Sequence, residues 1–139
     1  MKNLFLILIL LFMSSLAYAQ DITGKWMTED GEAVVEIYQS GDKLNGKIVW
    51  LKNANDANGK PLIDHENPDK SKRTRTLIGL LMLMDFKQND GKWEGGKIYD
   101  PSEGKTYKCS IWLEKGKLKV RGYIGMFYQT QTWTRKTDG

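Results

Sequence analysis

The stretch "KTYKCSIWLEKGKLKVRGYI", residues 105–124, decides the fold, because it has the pattern of two strands joined by a short turn. In its first half Cys109 and Ile111 share one face, while polar side chains take the alternate positions. A period of two is typical of a strand with one buried face. Lys115-Gly116-Lys117 then marks a turn, and the alternation resumes after it. The stretch therefore predicts two neighbouring antiparallel strands.

The same pattern extends outward along the chain. Turn signals recur at Asp30-Gly31, Gly41-Asp42, Asp90-Gly91 and Asp100 to Gly104, with β-branched and aromatic residues between them. Turns at intervals of roughly ten to fourteen residues indicate a meander closed as a barrel or sandwich. The sequence predicts an all-β, up-and-down antiparallel barrel of about eight strands, formed by residues 20–139 as one domain.

The first residues have the layout of a secretory signal peptide. Lys2 precedes an apolar core from Leu4 to Met13, and Ala17-Tyr18-Ala19 is a small-x-small cleavage site. The core is too short to span a bilayer. We expect cleavage after Ala19, so that residues 1–19 are removed and the mature chain, without a transmembrane segment, is exported to the periplasm or beyond.

Charge and cysteine content exclude some classes of partner. Loss of Lys2 from the 21 Lys and Arg residues leaves 20 against 17 acidic residues, which makes the mature chain only mildly basic. Without a wider basic surface, nucleic acid is not an expected partner. Cys109 is the single cysteine, so no internal disulfide forms, and its position predicts a small apolar side chain of the interior.

The most apolar stretch of the predicted mature chain runs from Leu77 to Phe86. As a strand it would carry Leu81 and Leu83 on one face and Met82 on the other, and a strand that is apolar on both faces is buried on both. We expect one face to line the barrel and the preceding loop to cover the other. Its inner face is then either core packing or the wall of a cavity.

The loop in question, residues 52–75, is long for a compact domain, and such loops often have a function. Four of its last six residues, Lys70 to Arg75, are basic. This basic run is either a solvated loop end or a surface for anionic headgroups of the cell envelope.

Patterns of catalytic and metal-binding residues are missing. His65 is the only histidine, so no zinc ligand set is indicated, and the calcium-loop pattern before Gly59 fails at Ala54. There is no glycine-rich phosphate loop and no nucleophile motif. The sequence predicts no catalytic residue, no cofactor and no metal. An enzyme that acts through Asp64, Asp85 or Asp100 is a third hypothesis.

Two tryptophan motifs lie in the first and the last of the predicted strands. The first strand carries Gly24-x-Trp26, and the last carries Trp133-x-Arg135. This resembles the lipocalin arrangement, in which an arginine of the last strand packs across the tryptophan of the first. An arginine on an indole face gains cation–π attraction and caps backbone carbonyls. We expect Gly24, Trp26 and Arg135 to close the barrel.

A closer resemblance covers nearly the whole mature chain. The segments "TGKW", "LNGKIVWL", "GKPLIDHENPD", "RTRTLIGLLMLMDF", "WEGGKIYDPSEGKTYKC", "LKVRGYIG" and "TQTWTR" follow one another in this order. They resemble the secreted bacterial family named domain of unknown function 2147. The resemblance implies a lipocalin-like β-barrel and no established activity. The family's recurring polar positions correspond here to Asp64, Asn67-Pro68, Arg75, Gly96, Tyr99-Asp100-Pro101, Gly104, Tyr107, Arg121-Gly122-Tyr123 and Trp133.

The leading hypothesis is an exported protein that binds a small apolar or amphipathic molecule. Arg121 and Tyr123 share a strand face, so either could point into a cavity or toward the long loop. Arg121 could pair with Asp64 or Asp100, or hold a carboxylate or phosphate head. The candidate ligand residues are Asp64, Asn67, Leu81, Leu83, Tyr99, Asp100, Arg121, Tyr123 and Trp133. The alternative is an envelope interaction protein that works through the 52–75 loop and the basic run, with no ligand in the barrel.

Overall fold

Eight antiparallel strands close into a barrel in the computed structural model, which describes residues 21–137. Each strand pairs with the next in sequence, and β8 pairs back with β1. The predicted fold is therefore confirmed. The predicted signal peptide lies outside the described residues. The strands are β1 (Gly24–Met27), β2 (Ala33–Ser40), β3 (Lys43–Leu51), β4 (Leu81–Asn89), β5 (Lys92–Asp100), β6 (Lys105–Glu114), β7 (Lys117–Ile124) and β8 (Phe127–Arg135).

The up-and-down order gives the barrel two different ends. The β2–β3, β4–β5 and β6–β7 turns are short and lie at one end, together with the start of β1 and the end of β8. We call this the closed end. The β1–β2, β5–β6 and β7–β8 turns lie at the other, the open end, and so does the long connection between β3 and β4.

A single apolar core fills the closed part of the barrel. Alternate residues of each strand point inward, as the period of two predicts. Cys109 is buried among them, and burial raises the pKa of its thiol to about 12, so it is an unreactive core residue. The fully buried members include both tryptophans of the terminal motifs: Trp26, Val35, Leu83, Phe86, Ile111, Leu118 and Trp133.

Strand β4 differs from its predicted form. The strand begins at Leu81, not at Leu77, and the four residues before it form a turn in which the backbone N–H of Leu80 donates to Leu77. Strict alternation places Leu83 and Phe86 on opposite faces, yet both are fully buried in the core. The cause is Asp85, whose φ of 65° adds a kink that returns Phe86 to the inside.

The second apolar face of β4 is covered only in part. Leu81 is 38 % exposed, so the prediction that it shares a buried inner face with Leu83 is wrong; a register shift against β3 falls between the two residues. Leu77 and Leu80 of the long loop do pack in a small second cluster with Ile48, Tyr99 and the two methionines of β4. The loop therefore covers one end of the strand and leaves Leu81 outside.

No helix among residues 21–137 is long and apolar enough to cross a membrane.

Candidate ligand site

A cavity of about 410 Å³ lies inside the barrel and reaches the open end. Its volume falls within the roughly 300–1,000 Å³ of typical small-molecule sites. Eight-stranded barrels are wide enough to hold one such molecule when side chains do not fill them. The apolar core therefore occupies the part of the barrel next to the closed end, and the cavity occupies the part next to the open end.

The deep part of the cavity is apolar. Trp133 and Val120 contribute buried side chains to its wall, and Ile48, Met82 and Ile98 complete the apolar lining. Gly122 also lines the cavity, and its strand partners are Cys109 and Gln129. Two amide side chains of β8, Gln129 and Gln131, add hydrogen-bonding groups to this wall.

The mouth of the cavity is acidic. Four carboxylates, Asp30, Glu32, Asp100 and Glu103, line it on the β1–β2 and β5–β6 turns, and we call them the rim carboxylates. The described part of the chain contributes no Lys, Arg or His to the lining, although basic residues outnumber acidic ones in the sequence. Of the four rim carboxylates, only Glu103 takes part in an ion pair among the described residues, with Lys105 at 3.9 Å.

The rim carboxylates are held by their own turns. One oxygen of Asp30 accepts hydrogen bonds from the Thr28 hydroxyl at 2.8 Å and from the Glu32 backbone at 3.0 Å. Asp100 accepts in the same way from the backbone and hydroxyl of Ser102, at 2.9 and 2.7 Å. These contacts are typical of turn-forming aspartates, and they fix the direction of both carboxylates.

In the structure the connection between β3 and β4 spans residues 52–80, which includes the predicted loop 52–75, and we call it the long loop from here on. It is fastened to the barrel through Asp64. This carboxylate is fully buried and accepts hydrogen bonds from the Tyr99 hydroxyl at 2.6 Å and the Asn67 amide at 2.7 Å. The Arg75 guanidinium lies 3.5 Å from it. We call these four residues the latch. Burial and the hydrogen bond to Asp64 raise the pKa of Tyr99 to about 12, so its hydroxyl stays a donor at neutral pH.

A close backbone contact beside the latch docks the loop on the β5–β6 turn. Gly104 has a φ of +68°, and a side chain there would overlap the carbonyl of Glu66. Glycine is thus required for both the turn and the approach of the loop. Asp64, Asn67, Arg75, Tyr99 and Gly104 therefore have one shared task in this chain, which is to hold the loop.

Arg121 and Tyr123 lie on the outer face of the barrel, away from the cavity. The predicted pairing of Arg121 with Asp64 or Asp100 is wrong, because Arg75 takes that place at Asp64. Arg121 instead lies over the rings of Trp112, at 4.9 Å, and Tyr128, at 4.1 Å. Val120 points inward, so the odd-numbered residues Arg121 and Tyr123 of the same strand point outward. The Tyr123 hydroxyl bonds Ser110 at 2.9 Å.

The other seven candidate ligand residues lie in four different places. Tyr99, Asp100 and Trp133 line the cavity, whereas Leu83 lies in the core and Leu81 lies outside. Asp64 and Asn67 are buried in the latch and do not line the cavity. The structure therefore brings three of the nine candidates together at the cavity. Their part in binding remains a prediction.

The basic run is occupied largely by contacts of the loop itself. Arg73 donates to the backbone carbonyl of Asn67 at 2.7 Å, and Arg75 belongs to the latch. Lys72 lies 4.0 Å from Asp69, which caps the short 3₁₀ helix Lys70–Lys72. These contacts give the run a structural part in shaping the loop.

Arg135 lies over the closed end. Its guanidinium is 4.1 Å from the Trp26 ring and donates to the carbonyls of Thr23, at 2.6 Å, and Asp21, at 2.8 Å. A side chain at Gly24, whose φ is +114°, would approach the same guanidinium to 2.9 Å. The glycine, the indole and the arginine therefore form one packed unit that shuts this end.

Two features of the open end were not predicted from the sequence. The inward-facing glutamines Gln129 and Gln131 were not singled out, because an alternating strand with polar residues on both faces gives no inside signal. The second feature is the β7–β8 turn, "YIGMFY", residues 123–128, which is apolar where turns are usually polar. An apolar sequence at a turn is a signal that could have indicated an exposed apolar surface there.

The sequence and the barrel were compared with known proteins. The profile of a bacterial family described as an uncharacterised protein conserved in bacteria, domain of unknown function 2147, matches residues 24–135. The chain belongs to this family. No protein of the curated collection matches it significantly. A solved structure of a Helicobacter pylori protein described as a member of the lipocalin family superposes with a TM-score of 0.75 at 22 % identity, covering 86 % of each chain. This likeness shows that the family member described here has a lipocalin-like fold.

Proposed function

We propose that this family member binds one small molecule in the barrel, with the apolar part of the ligand inside and a neutral or cationic polar part at the mouth. The observation that supports the proposal is the cavity of about 410 Å³ between the core and the open end. A lipocalin-like fold is compatible with small-ligand binding in general, and the cavity gives that general expectation a place in this chain.

The depth of the cavity suits an apolar group. Burial of apolar surface stabilises a complex by about 25 cal/mol per Å². The wall formed by Ile48, Ile98, Val120 and Trp133 offers such a surface, and Met82 adds a flexible side chain that adapts to ligand shape. Gln129 and Gln131 can each donate to or accept from one polar atom of the ligand.

The charge at the mouth determines which end group fits. Four carboxylates without a lining cation repel a carboxylate or phosphate head and attract an amine. Two unit charges about 4 Å apart interact by about 1 kcal/mol in water and by several times that near a protein surface. This reverses the expectation that Arg121 holds an anionic head.

Native mass spectrometry of the protein, purified without detergent from an exporting host, tests the proposal. We expect an added mass that survives gentle ionisation and disappears on denaturation. A bare mass, together with no binding of medium-chain amines by titration calorimetry, would contradict it and favour a barrel that serves only as a scaffold.

A cavity-filling variant makes the test specific. A Cβ at Gly122 would meet only Ile98, at 3.9 Å, so Gly122→Leu places its side chain in the cavity without a backbone clash. We expect this variant to lose the added mass. Thr132→Leu adds a similar apolar group on the outer face of β8 and should keep it. Loss of the mass in both variants would mean that the ligand is not in the barrel.

We also propose that binding takes place outside the cytoplasm. The support is the amino-acid pattern of residues 1–19, with its charged start, apolar core and cleavage site. The intact mass of the same preparation tests this, since cleavage after Ala19 leaves a chain that begins at Gln20.

A further inference from the structure

The β7–β8 turn presents a large apolar surface to solvent. Met126 is 90 % exposed, Phe127 74 % and Ile124 55 %, and the neighbouring Tyr128 and Tyr123 are also exposed. Soluble surfaces rarely carry adjacent large apolar side chains at a protruding turn, and such patches mark interaction sites. We call residues 123–128 the tip.

Cations lie on the outer face of the barrel directly behind the tip. Lys97 of β5 pairs with Lys108 of β6, Lys108 pairs with Tyr123 of β7, and Tyr123 pairs with Tyr128 of β8. Paired residues point to the same side of a sheet, so the two lysines and two tyrosines form one row. Within residues 21–137 neither lysine takes part in a described ion pair.

The next row continues the same chemistry. Arg121 lies one step farther from the tip, with its guanidinium over the Tyr128 ring. Its partners across the strands, Ser110 and Thr130, are uncharged. Moving away from the turn, one thus meets apolar side chains first, then a row of two phenol rings and two lysines, and then Arg121.

This order matches the profile of a bilayer surface. Apolar side chains enter the acyl boundary, tyrosines prefer the headgroup level, and Lys and Arg reach lipid phosphates. Met126 at the head of the turn is 90 % exposed and Phe127 beside it 74 %, so both side chains are free to enter lipid. We propose that the tip docks the barrel on an anionic lipid bilayer, with the outer face of β5–β8 turned toward the headgroups.

The geometry adds a link to the cavity. Ile124 belongs both to the tip and to the cavity lining, so a docked barrel holds its mouth beside the lipid. Docking itself requires no ligand in the barrel, and the proposal therefore stands or falls independently of the proposed function.

Vesicle flotation tests the docking. The full chain is produced in an exporting host, and intact masses are measured so that every variant is compared in the same processed form. Vesicles contain phosphatidylethanolamine with phosphatidylglycerol, or phosphatidylcholine alone. We expect the wild-type protein to float with the anionic vesicles. Met126→Asp with Phe127→Asp should lower its partition coefficient by at least roughly tenfold, since two exposed apolar groups no longer enter lipid.

Two further variants separate insertion from charge. Lys97→Gln with Lys108→Gln should reduce binding to anionic vesicles by several-fold and weaken its dependence on salt, while binding to phosphatidylcholine stays the same. Ile78→Asp changes an exposed apolar residue of the long loop and should bind as the wild type does. Circular dichroism confirms that each variant is folded, as expected for exposed positions.

Three outcomes would overturn the proposal. The wild-type protein floats with neither vesicle, the tip variant floats as well as the wild type, or Ile78→Asp reduces binding as much as the tip variant. Sedimentation of the same samples identifies one competing occupant of the tip. A wild-type dimer that the tip variant converts to a monomer, without flotation, would assign the surface to a second copy of the chain.

Discussion

The two ends of the barrel are built in opposite ways. At the closed end, the space is filled by the apolar core, which includes Trp26 and Trp133, and the Arg135 guanidinium lies over the Trp26 ring. At the open end, charged turns surround a cavity, and the long loop is held by a buried carboxylate. The contrast teaches that stability is concentrated at one end, which leaves the other free to carry binding surfaces.

Removal of the closed-end indole should have the largest effect on stability. Trp26→Ala deletes a fully buried ring, its hydrogen bond to the Ile22 carbonyl and the platform under Arg135. Large aromatic deletions in cores cost about 3–5 kcal/mol, so we expect a loss of that size in urea unfolding.

The matched control is Trp50→Ala. Trp50 is 43 % exposed on β3, so its removal should lower the free energy of unfolding by less than about 1 kcal/mol. Equal losses for the two tryptophans would mean that the closed end is not the stable end.

The next effect concerns the latch of the open end. Asp64→Asn keeps the shape of the side chain, but its amide presents an N–H group toward Asn67 or Tyr99, which both donate to the carboxylate. Loss of charged hydrogen bonds in a buried site should cost about 3 kcal/mol. We expect lower stability in urea and faster cleavage of the 52–80 loop by limited proteolysis.

The comparison for this variant is Asp69→Asn, in the same loop. Asp69 is half exposed, and its carboxylate contacts only local groups, the backbone and hydroxyl of Ser71 and, at 4.0 Å, Lys72. We expect little change in the rate of loop cleavage. If both variants are cleaved alike, the loop is not fastened through the latch.

The closed end was predictable from the sequence because its signals are local. Gly24-x-Trp26 and Trp133-x-Arg135 are short motifs, and alternation places Cys109, Ile111 and Val120 on the inner face. Strand β4 was harder, since a single left-handed residue, Asp85, moved Phe86 to the opposite side. A kink of this kind reverses every later position of an alternating pattern.

The open end was less predictable because its contacts join residues far apart in the chain. Asp64 meets Tyr99 across 35 positions, and its arginine partner is Arg75, which the sequence did not single out for that role, and not Arg121. The size of the cavity depends on how far the core side chains reach, which no local pattern reports. The exposed tip was not predicted either, although its apolar turn sequence is a local signal that could have indicated it.

Titration of Tyr99 gives a smaller effect on the open end. Its pKa lies at about 12, above the ordinary value of 10.0, so the stabilising contact is complete below pH 10 and is lost as the pH rises from 10 to 12. Two pKa units correspond to a loss of at most about 2.7 kcal/mol.

The Tyr99→Phe variant isolates this contribution. It should be less stable than the wild type at pH 8, and the difference should shrink between pH 10 and 12 in urea unfolding. Tyr107, whose pKa burial and Glu103 also raise, titrates in both proteins and cancels in the comparison. Equal stability of the two proteins at pH 8 would show that Tyr99 holds the loop by packing alone, and a difference that stays constant up to pH 12 would show that its ionisation is not coupled to the latch.

The smallest expected effect is on the ratio of two ligand affinities, which tests the charge of the mouth. Decylamine and decanoate carry similar apolar chains and oppositely charged head groups. Calorimetry should find the amine bound more tightly, because the rim carboxylates attract its head group and repel the carboxylate. Glu32→Gln with Glu103→Gln removes two of the four charges and should narrow the ratio of the two affinities by about fivefold, or about 1 kcal/mol. The control is Glu36→Gln on β2. Its carboxylate does not line the cavity and lies 4.0 Å from Lys47 of β3, so its removal should leave the ratio unchanged. If the ratio is close to one in the wild type, the mouth does not select the head, and selectivity then depends on the apolar wall and the two glutamines.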